Sequence, residues 1–413
     1  MKKFTFGKAL SLTALASAMV LTGCQKEDLM EQQFAAPAQA EQAEPSTSGQ
    51  VIEGQYIVVF QDGTIGSSDL ATASKSQAIM AQSGIAASAV SETYQGKVKG
   101  FAAKLSAQQL QELRNNPDVA YIEQDRVLSL GKPTKTTTST TTNTVTTSST
   151  TGVTSITAMA GETIPWNIAH VGYGDGRGKT VWIIDSGVDT KHPDLTVDVA
   201  RSRSFVSGIT SIEDGFGHGT SVAGIIAAKN NGSGMIGVAA GATIVALRVF
   251  NNTGGGTLSS AISAVNHVNN NAKAGDVVNM SIGTAASSTL DNLVKTAAAK
   301  GILFAIAAGN SAVDCSNTSP ARVNATGIYT ISAMDNMGRV WSSSNFGMPV
   351  DFAAPGVNVT TTTKGGGIGT GAHGTSFAAP HVAGILLLKG RVTTTKGTVT
   401  GDKDSKADPI AVL

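Results

Sequence analysis

Three short segments hold residues that could do nucleophilic chemistry together. Gly374-Thr375-Ser376-Phe377-Ala378-Ala379-Pro380-His381 sets a serine between the Gly-rich loop 365–371 and an apolar run, 382–388, long enough to be a buried helix. Such a serine shows its hydroxyl at an edge. Its backbone N–H is also among the unpaired donors of a helix N-terminus, a place suited to negative charge. Asp214-Gly215-Phe216-Gly217-His218-Gly219-Thr220 puts an imidazole at a Gly-flanked helix start. Val181-Trp182-Ile183-Ile184-Asp185-Ser186-Gly187 reads as a buried parallel strand ending in a carboxylate and a Gly turn. A serine hydroxyl is a weak nucleophile until a base takes its proton, and an acid holds that imidazole in the right tautomer. A lone Gly-Thr-Ser would be only a serine near a helix cap; the other two motifs change its meaning. Ser376 is read as the nucleophile, His218 as general base and acid, and Asp185 as the residue that orients it.

All three sit at strand ends or helix starts, where open α/β sheets place their ligands. The chain order Asp, His, Ser is that of subtilisin. Over residues 163–390 these motifs resemble the subtilisin-like serine peptidases (subtilases), nearest the proteinase-K-like branch. That resemblance implies an α/β fold with a parallel sheet flanked by helices on both faces, and hydrolysis of peptide bonds through an acyl-enzyme with no catalytic cofactor. An esterase of the α/β-hydrolase type would need Gly-x-Ser-x-Gly, but Ala378 stands at the second Gly. A silent binding module is disfavoured by the intact set.

The resemblance extends to further positions. Ala307-Ala308-Gly309-Asn310 follows an apolar strand and matches the family's oxyanion motif, so the Asn310 amide is the expected donor to the oxyanion. Asn279-Met280-Ser281-Ile282-Gly283 is similar to the substrate-binding strand, whose exposed edge would pair with an extended peptide. Ser281, Ile282, Gly283, Ala308 and Gly309 would border a roomy, uncharged pocket with apolar or aromatic preference. Thr284 replaces the family's second Gly. Asp351 matches a calcium ligand of proteinase-K-like enzymes, with carbonyls near Thr326 and Ile328 completing the protein share. The loop 324–327 is longer than usual, and an Asp capping a turn is the competing reading. His373, three residues before Ser376, lies where the family has a small residue; His381 and His192 match packing positions. Cys315 matches a cysteine that some thermophilic relatives pair, but Pro349 occupies the partner position, so a free thiol is expected.

The elements that must position these residues alternate. Strands are expected at 180–185, 242–250, 276–282, 302–307 and 328–333, and helices at 218–229, 257–272, 289–300 and 376–389. Residues 391–413 are polar and are expected at the surface as a turn or two. Ahead of the catalytic domain (163–413), residues 51–130 read as a small α+β unit. It has strands at 55–60, 100–105 and 119–123, and helices at 67–83 and from the Ser106 N-cap to Asn115. It resembles the subtilase inhibitor propeptide, down to Tyr121-Ile122-Glu123-Gln124-Asp125.

Residues 131–162 form a Thr/Ser-rich linker, and 24–50 a tether with almost nothing apolar to bury. Residues 1–23 are a signal segment, with Lys2, Lys3 and Lys8 before an apolar core too short to span a bilayer. Leu21-Thr22-Gly23-Cys24 resembles a lipobox, making Cys24 the lipidated residue. Gln25-Lys26-Glu27-Asp28 is similar to a surface-export signal of bacterial lipoproteins. The expected product is an exported cell-surface or outer-membrane lipoprotein precursor whose mature domain is extracellular. A net charge of +1 with 14% charged residues gives no nucleic-acid footprint. The expected partners are protein or peptide substrates, the chain's own propeptide as intramolecular inhibitor, and a membrane through lipid on Cys24 before processing. The mature chain is expected to be a monomer.

Overall fold

Strands without polar alternation are buried on both faces, and here they form the centre of a nine-stranded sheet. The structure, a computed structural model, describes residues 48–63, 69–131 and 156–413. The signal segment, Cys24, nearly all of the tether and most of the linker lie outside them.

The sheet runs in the order Thr394–Thr398, Pro409–Val412, Phe352–Pro355, Ile328–Met334, Leu303–Ala307, Val277–Met280, Thr180–Asp185, Thr243–Arg248 and Arg203–Ser204. All neighbours are parallel except the first pair. Successive side chains of Thr180–Asp185 point to opposite faces. Val181 and Ile183 join one core cluster, with the helices His218–Ala227 and Thr375–Lys389. Trp182 and Ile184 join the other, with Leu258–Asn271 and Ser288–Ala298. From Thr180–Asp185 the chain passes first to Arg203–Ser204 and Thr243–Arg248 on one side and then to Val277–Met280 on the other. The carboxyl end of Thr180–Asp185, and so Asp185, therefore stands at the switch point where open sheets form a crevice.

The small N-terminal unit is an antiparallel sheet of Val119–Ser129, Val51–Phe60, Gly100–Lys104 and Val90–Tyr94, with helices Asp69–Gln82 and Ala107–Arg114. Ser106 and Gln109 close a capping box on the second helix. Ile57, Val59, Tyr94 and Ala102 pack into the core cluster of Leu258–Asn271 and Ser288–Ala298.

Three expectations change. Residues 391–413 are not a loose tail: they supply Thr394–Thr398 and Pro409–Val412, and Ile410 and Ala411 are buried. The apolar run Ile410, Ala411, Val412, Leu413 is too short to stand out against the polar residues before it. The Gly-rich stretch 365–371 is largely a strand, Gly367–Ala372, paired with Val359–Thr363. Finally, the edge of Asn279–Met280 is not free, because both sides are occupied by sheet neighbours; only 281–283 run beyond the paired part.

Candidate active site

Asp185 ends its strand fully buried, and its carboxylate accepts from the Ser186 N–H at 2.7 Å. The two oxygens lie 2.9 and 3.0 Å from His218 Nδ1. Because a carboxylate can only accept, Nδ1 carries the proton and Nε2 is left as the base. His218 opens its helix after Gly217, whose φ of 107° is left-handed. A Cβ on Gly219 would come within 2.1 Å of the Gly187 carbonyl oxygen, so glycine is what lets this helix end meet the Asp185 turn. Burial works against protonation of His218, but the Asp185 charge and hydrogen bond, with the Asp214 charge, outweigh it and raise its pKa.

Asp214 and Ser186 were passed over in the sequence. Asp214, 3% exposed, accepts from Ser186 Oγ, the N–H groups of Phe216, Gly217 and Thr220, and Thr220 Oγ1, at 2.7–3.0 Å. Ser186 Oγ in turn accepts from the Gly219 N–H at 2.9 Å. These bonds tie the helix start to the Asp185 turn. The available signal was a carboxylate just before a helix start, where it can satisfy unpaired N–H groups.

Ser376 is the second residue of its helix and 9% exposed; no hydrogen bond to its backbone N–H is made among the described residues. Its hydroxyl donates to the Ser281 carbonyl at 3.4 Å. The adjacent Phe377 ring lies 5.1 Å from the His218 ring. Asn310 Oδ1 accepts from the Thr375 N–H at 3.0 Å and from Thr375 Oγ1 at 2.7 Å. An N–H cannot donate to an amide nitrogen, which fixes the orientation of this amide and leaves Nδ2 as an available donor beside Ser376. Asn345, also not singled out in the sequence, braces this loop: its amide bonds the Ala308 carbonyl and the Ser311 N–H, each at 2.9 Å.

Three other histidines take other places. His381 is buried, donates Nδ1–H to the Phe377 carbonyl at 2.8 Å and meets Asn167 Nδ2 at 3.0 Å; burial lowers its pKa to about 3. His192 bonds the Gly367 carbonyl and the Asp194 N–H. His373 is exposed at the end of Gly367–Ala372. Cys315 is a buried free thiol whose pKa burial pushes up to about 12, which keeps it protonated and unreactive.

Around the crevice, Ser281, Ile282 and Ala308 are nearly or fully buried, and Gly283 accepts from the Ser48 hydroxyl at 2.6 Å. The inhibitor strand Val119–Ser129 pairs antiparallel with Gly255–Thr257, Leu128 opposite Gly256, and the Leu130 N–H donates to the Gly254 carbonyl at 2.9 Å. Leu128 and Leu130 are buried in the catalytic side's core. Glu123 Oε2 accepts from Thr289 Oγ1, and Asp125 accepts from the Ser259 N–H and hydroxyl, so both carboxylates sit at helix starts. Asp351 spends one oxygen on the Thr330 N–H at 2.8 Å, and no group of three His, Cys, Asp or Glu residues is assembled for a metal among the described residues. Its second oxygen could serve calcium, with the other ligands left to carbonyls.

A parallel sheet of this topology, with a buried Asp–His pair and a helix-start serine at its switch point, is the architecture of a serine hydrolase. Residues 176–393 match the subtilase family, and residues 55–131 match peptidase inhibitor I9. The chain is 36% identical over 339 residues to alkaline serine exoprotease A of Vibrio alginolyticus, covering 82% of this chain but 60% of that protein. It is 33% identical over 365 residues to proteinase R of Parengyodontium album, covering 84% and 82%. The crystal structure of a cold-adapted subtilisin-like serine proteinase matches with a TM-score of 0.50 at 34% identity, over 58% of this chain and 90% of that one. The chain belongs to the subtilase family and carries an I9 inhibitor unit ahead of its peptidase domain.

Proposed function

We propose that the chain is a secreted serine endopeptidase made as a self-processing zymogen, with Asp185, His218 and Ser376 as its triad and Asn310 as oxyanion donor. In this reading Ser376 attacks the carbonyl and passes its proton to His218 Nε2. The Ser376 N–H and Asn310 Nδ2 take the developing charge, and His218 then protonates the leaving amine. The observation that carries the zymogen reading is the inhibitor strand paired onto Gly255–Thr257 and running on through Leu130. An extended substrate would be held in the same way, by backbone pairing with alternate side chains in pockets. Leucines at 128 and 130 support an apolar preference, and Ser281, Ile282, Gly283, Ala308 and Gly309 would border the pocket next to the cut bond. The cut is proposed to fall within residues 129–163.

The test is to express residues 25–413 and the Ser376→Ala variant and follow both by intact mass. Shortening of the parent within 129–163, with the variant whole, supports self-processing; equal shortening of both defeats it. Lipid on Cys24, the membrane contact, export and a monomeric mature domain belong to the same proposal. Cys24 lies on the inhibitor side of the cut, so mature enzyme should leave the detergent-extractable fraction. No helix among the described residues is long and apolar enough to cross a membrane. Calcium at Asp351, with carbonyls of Thr326 and Ile328, predicts that added Ca²⁺ raises the melting temperature of the parent but not of Asp351→Asn; an equal rise in both removes the ion from Asp351.

A further inference from the structure

In an α-helix the carbonyl of residue i accepts from the N–H of residue i+4. For Ser376 that residue is Pro380, inside the helix and without an N–H. The Ser376 carbonyl thus lacks the i+4 donor of a regular helix, in a residue that is 9% exposed, where an unpaired polar group is costly. Its donor comes from the sheet: Ser281 Oγ lies 2.8 Å away. Ser281 directly follows Val277–Met280, the central strand beside Thr180–Asp185. Asn279, fully buried, places Nδ2 2.9 Å from the same Ser281 Oγ. A hydroxyl has one proton. The Ser376 carbonyl can only accept, so that proton points to it, and Asn279 faces the hydroxyl with its NH₂.

We propose that Ser281 is a positioning residue for the nucleophile: its hydroxyl, aimed by Asn279, replaces the hydrogen bond that Pro380 removes from the Ser376 carbonyl. The inference rests on Ser376 being the nucleophile. Residues 281 and 376 are then linked in both directions, since the Ser376 hydroxyl rests on the Ser281 carbonyl. On the other side, Asn310 holds the Thr375 N–H and hydroxyl. The first turn of the helix is therefore clamped between the central strand and the oxyanion loop. An N–H at position 380 would tie the Ser376 carbonyl to its own helix and leave the height of Ser376 in the crevice to the helix. With proline there, the height is set by the strand that also borders the substrate, and displacements of about 1 Å in such a site cost on the order of a hundredfold in rate.

The experiment is a double-mutant cycle in the full chain after maturation: parent, Ser281→Ala, Pro380→Ala and the double variant. Two readouts are taken, the rate of Ser376 labelling by a small fluorophosphonate with no peptide portion, and kcat and KM on a peptide. Labelling of the parent that disappears in Ser376→Ala establishes the nucleophile separately; its persistence there would defeat the site reading rather than this link. Ser281→Ala is expected to slow labelling and kcat about tenfold, the worth of one buried hydrogen bond, with KM within about twofold. In the Pro380→Ala background, where residue 380 can donate to the Ser376 carbonyl, the same substitution should cost less than about twofold. Equal losses in both backgrounds overturn the inference. So does a loss confined to KM with labelling unchanged, which would make Ser281 only a pocket wall. Should Ser281→Ala not mature, Ser281→Thr and Ser281→Val serve in its place; equal labelling rates for this pair overturn the inference, and faster labelling of the hydroxyl-bearing variant supports it.

Discussion

His218 is held between opposing influences. Burial disfavours the imidazolium, while the Asp185 carboxylate and the more distant Asp214 favour it and prevail. A general base must be neutral to accept a proton, so kcat/KM should fall as pH drops through a value above the ordinary 6.5 of histidine. Replacing Asp185 by Asn removes the larger raising influence. The acid limb should then move to lower pH, and kcat should fall about 10⁴-fold, a magnitude borrowed from a trypsin-like triad. A pH–rate profile of the matured variant is the check, and an unmoved acid limb would remove Asp185 from this role. Asn310→Ala should lower kcat by roughly 10²–10³ with KM nearly unchanged, because its donor acts on charge present only in the transition state; the size is that found for a subtilisin. A loss appearing mainly in KM would speak for ground-state binding instead.

At the scale of elements, the site depends on how closely the His218–Ala227 helix approaches the Asp185 strand end. Gly219 permits the approach, and Ser186 with Asp214 ties it down. In Gly219→Ala the added carbon would meet backbone, not a side chain that can swing away. The helix start or the 185–187 turn must shift, and a loss of about 3 kcal/mol in stability is expected, together with impaired maturation. Thermal unfolding of Gly219→Ala in the otherwise inactive Ser376→Ala chain measures this without self-digestion; an unchanged melting temperature would show that the contact relaxes freely. The C-terminal strands matter in the same way. The Leu413 N–H donates to the Val171 carbonyl, and the 394–398 and 409–412 strands cover the sheet edge at Phe352–Pro355. Truncation after Gly390 would expose that edge and the side chains under it, and soluble yield should drop sharply.

For the molecule as a whole, the contact between inhibitor unit and peptidase domain contains a titrating group at its centre. Glu92 Oε2 accepts from Ser263 Oγ at 2.7 Å, with Asp125 on the Val119–Ser129 inhibitor strand, Arg203 on the peptidase side and the buried Tyr94 around it. Burial is the main reason its pKa rises from 4.5 to about 7; Asp125 adds to this, while Ser263 and Arg203 oppose it. The docked state therefore binds a proton more tightly than the free one. Docking is strongest below about 4.5 and weakens as pH rises through about 7. On the zymogen reading, the lag before activity appears in processed but undissociated enzyme should be about tenfold shorter at pH 8 than at pH 5. Glu92→Gln should flatten that difference. A lag independent of pH in the parent, or an equal dependence in the variant, would place the control elsewhere.

Local patterns were enough for the parts of this protein that are written in short stretches. The Asp185, His218, Ser376 and Asn310 motifs each lie within a few residues of a strand end or helix start, and the apolar runs 180–185, 302–307 and 328–333 match their strands to within one residue at either end. The inhibitor unit was legible for the same reason, though its Val90–Tyr94 strand was not, since Val90, Glu92 and Tyr94 have no apolar alternation. Only the tertiary structure decided the rest, because those features join residues far apart in the chain. Asp214 and Ser186 acquire their role from a turn 28 residues away, Ser281 meets Ser376 across 95 residues, and the 391–413 segment becomes structure only where a sheet edge waits for it. Spacing can announce which groups a chain has for chemistry, but the hydrogen bonds that hold those groups in place are made across the fold.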